Sequence, residues 1–192
     1  MAVTPPREVT NVAPRPPVLI FTDGACEGKD RELVTYGGII IDSETDRVEA
    51  FGAHMGRKLR RLLSDYGRKK QVIGQAEILP MIVSKIIWED IVRNRDILHY
   101  VDNEAARLST IKGSSPSKES AWLIQAFWES EAVLRTQSWL SRVPTECNPG
   151  DGPSRDEWEE IMELYPHCVR RDWRLRDEEA LMRRWTGRSD RK

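Results

Sequence analysis

At 192 residues the chain suits one domain with appendages, and 39% apolar residues are enough for a core. Charged residues make up 32% yet sum to a formal net charge of −1, which excludes a globally basic nucleic-acid binder and leaves any phosphate contact to local patches. No apolar run approaches transmembrane length and the N-terminus lacks a signal-peptide core, so neither a membrane partner nor secretion is expected.

Residues 1–17 hold five prolines and few apolar anchors, the composition of a flexible or polyproline-like arm linking to something upstream. Order is expected from Val18, where "VLIFTD" reads as a strand that closes on Asp23. "YGGIIID" (36–42) and "RVEAFGAHM" (47–55) read as a second and a third strand, with "DSETD" as the turn between them, so the start of the domain is an antiparallel meander. In residues 57–70, Leu59, Leu62, Leu63 and Tyr66 fall at helical spacing among seven Lys or Arg residues and one Asp. That segment is either a helix with a solvated basic face or a phosphate-facing patch.

Residues 74–94 have helix length and apolar content, with Pro80 marking a bend or a nearby helix start. "DILHYVD" (96–102) is a second apolar run that closes on a carboxylate, Asp102. Residues 103–111 predict a short helix stopped by Lys112-Gly113, residues 118–136 a long amphipathic helix, and residues 137–144 a further strand. Trp122, Trp128 and Trp139 are assigned to the interior. After "TECNPGDGPSR", Pro153 suits a first helical turn, Ser154 with Glu157 matches a capping box, and Trp158, Ile161, Met162 and Tyr165 form an apolar stripe ended by Pro166. Residues 167–192 predict one more packed helix and a frayed end. Strands separated by helices imply parallel crossovers beside the meander. The expected fold class is α/β, a five-stranded mixed sheet of three antiparallel and two parallel strands flanked by helices.

Ligands gather at the carboxyl ends of parallel strands. Asp23 and Asp102 end two such strands, Glu77 sits near the start of the long helix, and Asp151 precedes the last one. Taken singly, each acid has an ordinary reading as a turn former or helix cap. Taken together, four acids from separate segments would repel unless cations joined them. Oxygen-only ligands favour Mg²⁺ or Mn²⁺, and a pair of such ions is suited to phosphodiester chemistry. Gly24 and Ala25 leave room for a nucleic-acid backbone, and Gln75, Asn103 and the Ser114–Ser117 loop are candidate polar contacts. The cysteines Cys26, Cys147 and Cys168 lack zinc-ligand spacing, and an odd number without a signal peptide favours a reducing, intracellular compartment, cytoplasmic or nuclear.

The blocks "FTDGACEG…YGGIII", "GQAEILPMIV", "HYVDNEAA" and "VPTECNPGDGPSR" resemble the four acidic blocks of the ribonuclease H family, most of all the domains attached to reverse transcriptases of retroelements. The resemblance spans residues 18–155. It implies a ribonuclease H-like domain over residues 18–166, between the arm of residues 1–17 and a C-terminal helical extension of residues 167–192. It also implies a metal-dependent endonuclease that cuts RNA in RNA/DNA hybrids with two Mg²⁺ ions, Mn²⁺ substituting. The catalytic, metal-binding acids would be Asp23, Glu77, Asp102 and Asp151. Substrate contacts would fall on Gly24, Ala25, Gln75, Asn103, Asn148 and Arg155. A polymerase domain upstream and a monomeric state are the expected associations. The family's loop histidine has no counterpart in residues 145–150. Two alternatives stand beside this reading: a related nuclease or strand-transfer enzyme acting on DNA, and a catalytically silent nucleic-acid-binding module.

Overall fold

The computed structural model describes residues 15–27, 33–64 and 72–186. Among them six strands form one sheet: β1 (Val18–Glu27), β2 (Leu33–Asp42), β3 (Arg47–His54), β4 (Asp96–Val101), β5 (Gln137–Arg142) and β6 (Val169–Arg170). Their order is β5-β4-β1-β2-β3-β6. The β1–β2 and β2–β3 pairs are antiparallel; the β1–β4 and β4–β5 pairs are parallel. This is the expected mixed sheet with one strand more. The extra strand, β6, comes from the C-terminal extension and lies parallel to β3 through Glu49–Val169 and Ala50–Arg170.

The meander forms because the Asp42 carboxylate folds its own turn. It accepts hydrogen bonds from the Glu44 N–H at 3.2 Å and the Thr45 hydroxyl at 2.8 Å, and Asp46 takes the left-handed conformation that follows. Arg95, almost wholly buried, donates to Asp42 at 3.0 Å and pins the turn to the start of β4. Among the described residues eight α-helical segments accompany the sheet: α1 (Arg57–Leu63), α2 (Ile73–Ile87), α3 (Glu89–Val92), α4 (Glu104–Lys112), α5 (Lys118–Leu134), α6 (Asp151–Ser154), α7 (Glu159–Leu164) and α8 (Leu175–Thr186). Along β1 the alternation sends Val18 and Ile20 into the main core, where they meet Ile78, Leu79 and Ile82 of α2 and Leu123 and Phe127 of α5. A smaller cluster of Ile39, Val48, Ala50, Ile161 and Cys168 seals the other face. The sheet is therefore covered by helices on both sides.

Several boundaries differ from expectation for local reasons. The basic helix ends at Leu63, and residues 65–71 fall outside the described residues. The helix expected over 74–94 breaks at Trp88, a fully buried side chain, into α2 and the single turn α3. Pro80 neither begins nor follows a helix start; it lies in the interior of α2. The final amphipathic helix is two short pieces, because Asp156 is left-handed (φ 61°) between them. The capping box does not form: the Glu157 N–H donates to Gly152 O at 2.9 Å and the Ser154 hydroxyl is used elsewhere. Trp139, expected inside, is 71% exposed, because β5 is an edge strand and alternation puts this residue on the face opposite buried Leu140. No helix among the described residues is long and apolar enough to cross a membrane.

Candidate active site

β1 and β4 are parallel neighbours with Thr22 opposite Val101, so the next residues on each, Asp23 and Asp102, stand side by side. Glu77 reaches them because α2 lies directly on β1. A Cβ at Gly24 would sit 2.3 Å from the Ala76 carbonyl oxygen and 2.8 Å from the Glu77 nitrogen. Only glycine permits that approach. The same carbonyl is the one Pro80 cannot bond four residues on, since proline has no N–H. Gly24 thus sets how closely α2, and with it Glu77, approaches the end of β1.

The result is a cluster in which ligand oxygens of Asp23, Glu77 and Asp102 all lie within 4.8 Å of one another. Asp23 and Glu77 are buried. Burial first, then the neighbouring Asp23 and Asp102 charges, push the Glu77 carboxyl up to about 9. Burial likewise pushes Asp23 up to about 6, against the opposing Ser154 hydroxyl and with Asp102 and Asp151 adding like charge. Glu77 Oε2 is buried with no hydrogen-bond partner. A site of carboxylates alone, with one buried oxygen unspoken for and two acids held above their ordinary range, fits a divalent cation with oxygen preference. Mg²⁺ and Mn²⁺ meet that description; zinc, which prefers nitrogen and sulfur, does not.

Asp151, the first residue of α6, lies outside this group of three. Its Oδ1 accepts a hydrogen bond from Arg155 Nε at 2.9 Å and forms an ion pair with Nη2 at 2.9 Å. Arg155 also donates to Glu27 Oε1 at 3.0 Å. After burial and Asp102, the Asp151 charge adds a smaller push to Asp23 in the same direction.

The other predicted contacts take varied positions. The side of Gly24 expected to be open is filled by α2, and Ala25 is buried. Gln75 is buried, and its amide donates to Ser117 Oγ and Ser120 Oγ, both at 3.0 Å, which fastens α2 to the start of α5. Asn148 is buried, donates to Thr22 O at 3.2 Å and accepts from the Gly150 N–H, so it anchors the loop that carries Asp151. Asn103 caps α4 by accepting from the Ala106 N–H at 3.0 Å, and its amide lies 3.4 Å from Glu77 Oε1. Among these residues, Asn103 bridges to the cluster, and Arg155 is the one with a broadly accessible side chain.

Ser154 escaped the sequence reading. Its hydroxyl donates to Asp23 Oδ2 at 2.5 Å and also lies 2.8 Å from Asp151 O. Nothing local to Ser154 pointed to Asp23, since its own neighbours match a capping box. The histidines are not at the cluster. His99 is wholly buried beside Thr22, and burial, helped by Lys85, drops it to about 3. His54 and His167 are exposed, at the end of β3 and beyond α7.

The same arrangement of strands and helices occurs in solved structures. Ribonuclease H1 of the halophilic archaeon Halobacterium salinarum aligns with a TM-score of 0.57 at 14% identity, covering 76% of this chain and 99% of that one. The fold is that of ribonuclease H. LC11-RNase H1, isolated from compost by a metagenomic approach, aligns at 0.53 with 13% identity over 76% and 98% of the two chains. The N-terminal ribonuclease H domain of a Mycobacterium tuberculosis protein aligns at 0.51 with 14% identity over 77% and 96%. No family model and no curated protein sequence matches the chain.

Proposed function

We propose that this chain is a metal-dependent endonuclease that hydrolyses the RNA strand of RNA/DNA hybrids through two divalent cations. The observation that carries the reading is the trio Asp23, Glu77 and Asp102, with its partnerless buried Glu77 oxygen. The ribonuclease H fold supports the substrate class, since LC11-RNase H1, a neighbour at TM-score 0.51, has been solved in complex with an RNA/DNA hybrid.

In this reading Asp23, Glu77 and Asp102 hold the first cation and Asp151 contributes to the second. Cations bound there would acidify a water for attack on phosphorus and offset charge on the attacking and leaving oxygens. The chain's own contribution is position. Gly24 admits α2, Ser154 holds one Asp23 oxygen, Asn103 reaches Glu77, and Asn148 fixes the loop before Asp151. Arg155, at the rim, is suited to a backbone phosphate, because its planar fork of donors matches phosphate oxygens.

The test is cleavage of three labelled substrates, an RNA/DNA hybrid, duplex DNA and duplex RNA, with Mg²⁺, with Mn²⁺ and with chelator. Cutting confined to the RNA of the hybrid and lost in chelator is expected. Preferential cutting of duplex DNA would replace the proposal with a DNA-acting enzyme of the same fold, and metal-dependent binding of hybrid without cutting would make the chain a binding module.

A further inference from the structure

Ser154 and Arg155 are consecutive, yet each holds a different acid: Ser154 holds Asp23 and Arg155 holds Asp151. Arg155 sits at the end of a single helical turn whose backbone is tied down, its own N–H lying 3.2 Å from Asp151 O and 3.0 Å from Gly152 O. The backbone is therefore fixed and the side chain is the movable part. The guanidinium is shared between Asp151 and Glu27, and all three side chains are substantially open to water: Arg155 38%, Asp151 31% and Glu27 46%. Ion pairs this exposed are cheap to break.

We propose that Arg155 is a displaceable counter-ion for Asp151: its guanidinium withholds the fourth carboxylate from a second divalent cation until a nucleic-acid phosphate draws Arg155 away. The inference rests on the metal-dependent reading above and deepens it, because it names the residue that makes the second cation conditional on substrate. The local electrostatics favour the exchange, since a dication brings twice the positive charge to Asp151 that the Arg155 guanidinium does. The chemistry favours it as well. A phosphodiester offers the guanidinium the same bidentate oxygen pair that a carboxylate does, and a duplex presents many of them. Glu27 completes the device: Arg155 is held from a second side, so it rests on the acids rather than in solvent.

Manganese binding to the full chain without nucleic acid tests this, counted by calorimetry and by the loss of the free Mn²⁺ paramagnetic resonance signal. Wild type should take up one Mn²⁺. Arg155→Gln should take up a second, bound at least about tenfold more tightly than wild type binds it, as expected for removing one close positive charge. The double variant Arg155→Gln with Asp151→Asn should return to one. Thermal melting in chelator verifies folding; should Arg155→Gln not fold, Arg155→Lys, which keeps the charge and loses the fork, replaces it with a smaller tightening in the same direction. Unchanged Mn²⁺ binding in the Arg155 variant overturns the proposal, as does a second site that survives the double substitution. No Mn²⁺ binding by wild type would instead overturn the metal-dependent reading on which it stands.

Discussion

One oxygen, Glu77 Oε2, has no partner in a buried place, and its cost sets how the site behaves without metal. The Glu77 carboxyl is raised from an ordinary 4.5 to about 9, so between those pH values the folded chain holds a proton that the unfolded chain has released. Metal-free stability should therefore fall as pH rises through that window. Glu77→Gln should flatten the fall, and Mg²⁺ should stabilise wild type more at pH 8 than at pH 5; urea unfolding across pH with and without Mg²⁺ measures both. Ser154→Ala removes the hydroxyl that lowers Asp23, so Asp23 should rise beyond about 6 and Mn²⁺ binding should require a higher pH than in wild type. Asp23 and Asp102 were legible in the sequence because each closes an apolar run, a pattern that local alternation reveals. Ser154 was not, since its bond to Asp23 crosses 131 residues of chain and the local sequence offered it a plausible cap instead.

α2 and the start of α6 carry the two acids that strand patterns do not place. α2 was legible as an apolar helix, but its close seat on β1 was not. That seat depends on Gly24 facing the Ala76 carbonyl, a contact between backbones that no residue pattern announces. Gly24→Ala should push α2 outward, costing about 2 kcal/mol or more in unfolding free energy and weakening Mn²⁺ binding together with it. The β5–α6 loop is fixed by Asn148, for which the family resemblance implied a substrate contact. Asn148→Ala should cost about 2 kcal/mol, the loss of two hydrogen bonds at a buried site, measured by chemical denaturation. The last helix was read as continuous from its apolar stripe, Trp158 to Tyr165. That spacing survives a left-handed residue at Asp156, so the stripe could not reveal the break that frees Ser154 and Arg155 to face the site.

At the scale of the whole molecule, the mixed character of the sheet followed from the alternation of strands and helices, whereas the sixth strand did not, because two residues are too short for any periodic signal. The C-terminal extension is part of the packing. Tyr36 donates to Glu178 at 2.6 Å, Glu178 also accepts the Gly56 N–H at 2.9 Å, Trp173 donates to Tyr36 at 2.8 Å, and Leu181 is buried in the main core. These contacts clamp β2 and the start of α1 from outside the sheet. Truncation before Trp173 should lower the melting temperature by about 5 °C or more, since it exposes a buried tyrosine hydroxyl and an apolar patch. The account as a whole turns on three acids from two strands and one helix acting as a single cation-holding group. Cleavage of a labelled RNA/DNA hybrid in Mg²⁺ by wild type and by Asp102→Asn tests it most directly. Wild type should cut the RNA strand and the variant, folded to the same melting temperature or higher, should be at least about a thousandfold slower, consistent with losing a metal-holding carboxylate; a variant that cuts as fast as wild type would contradict the account.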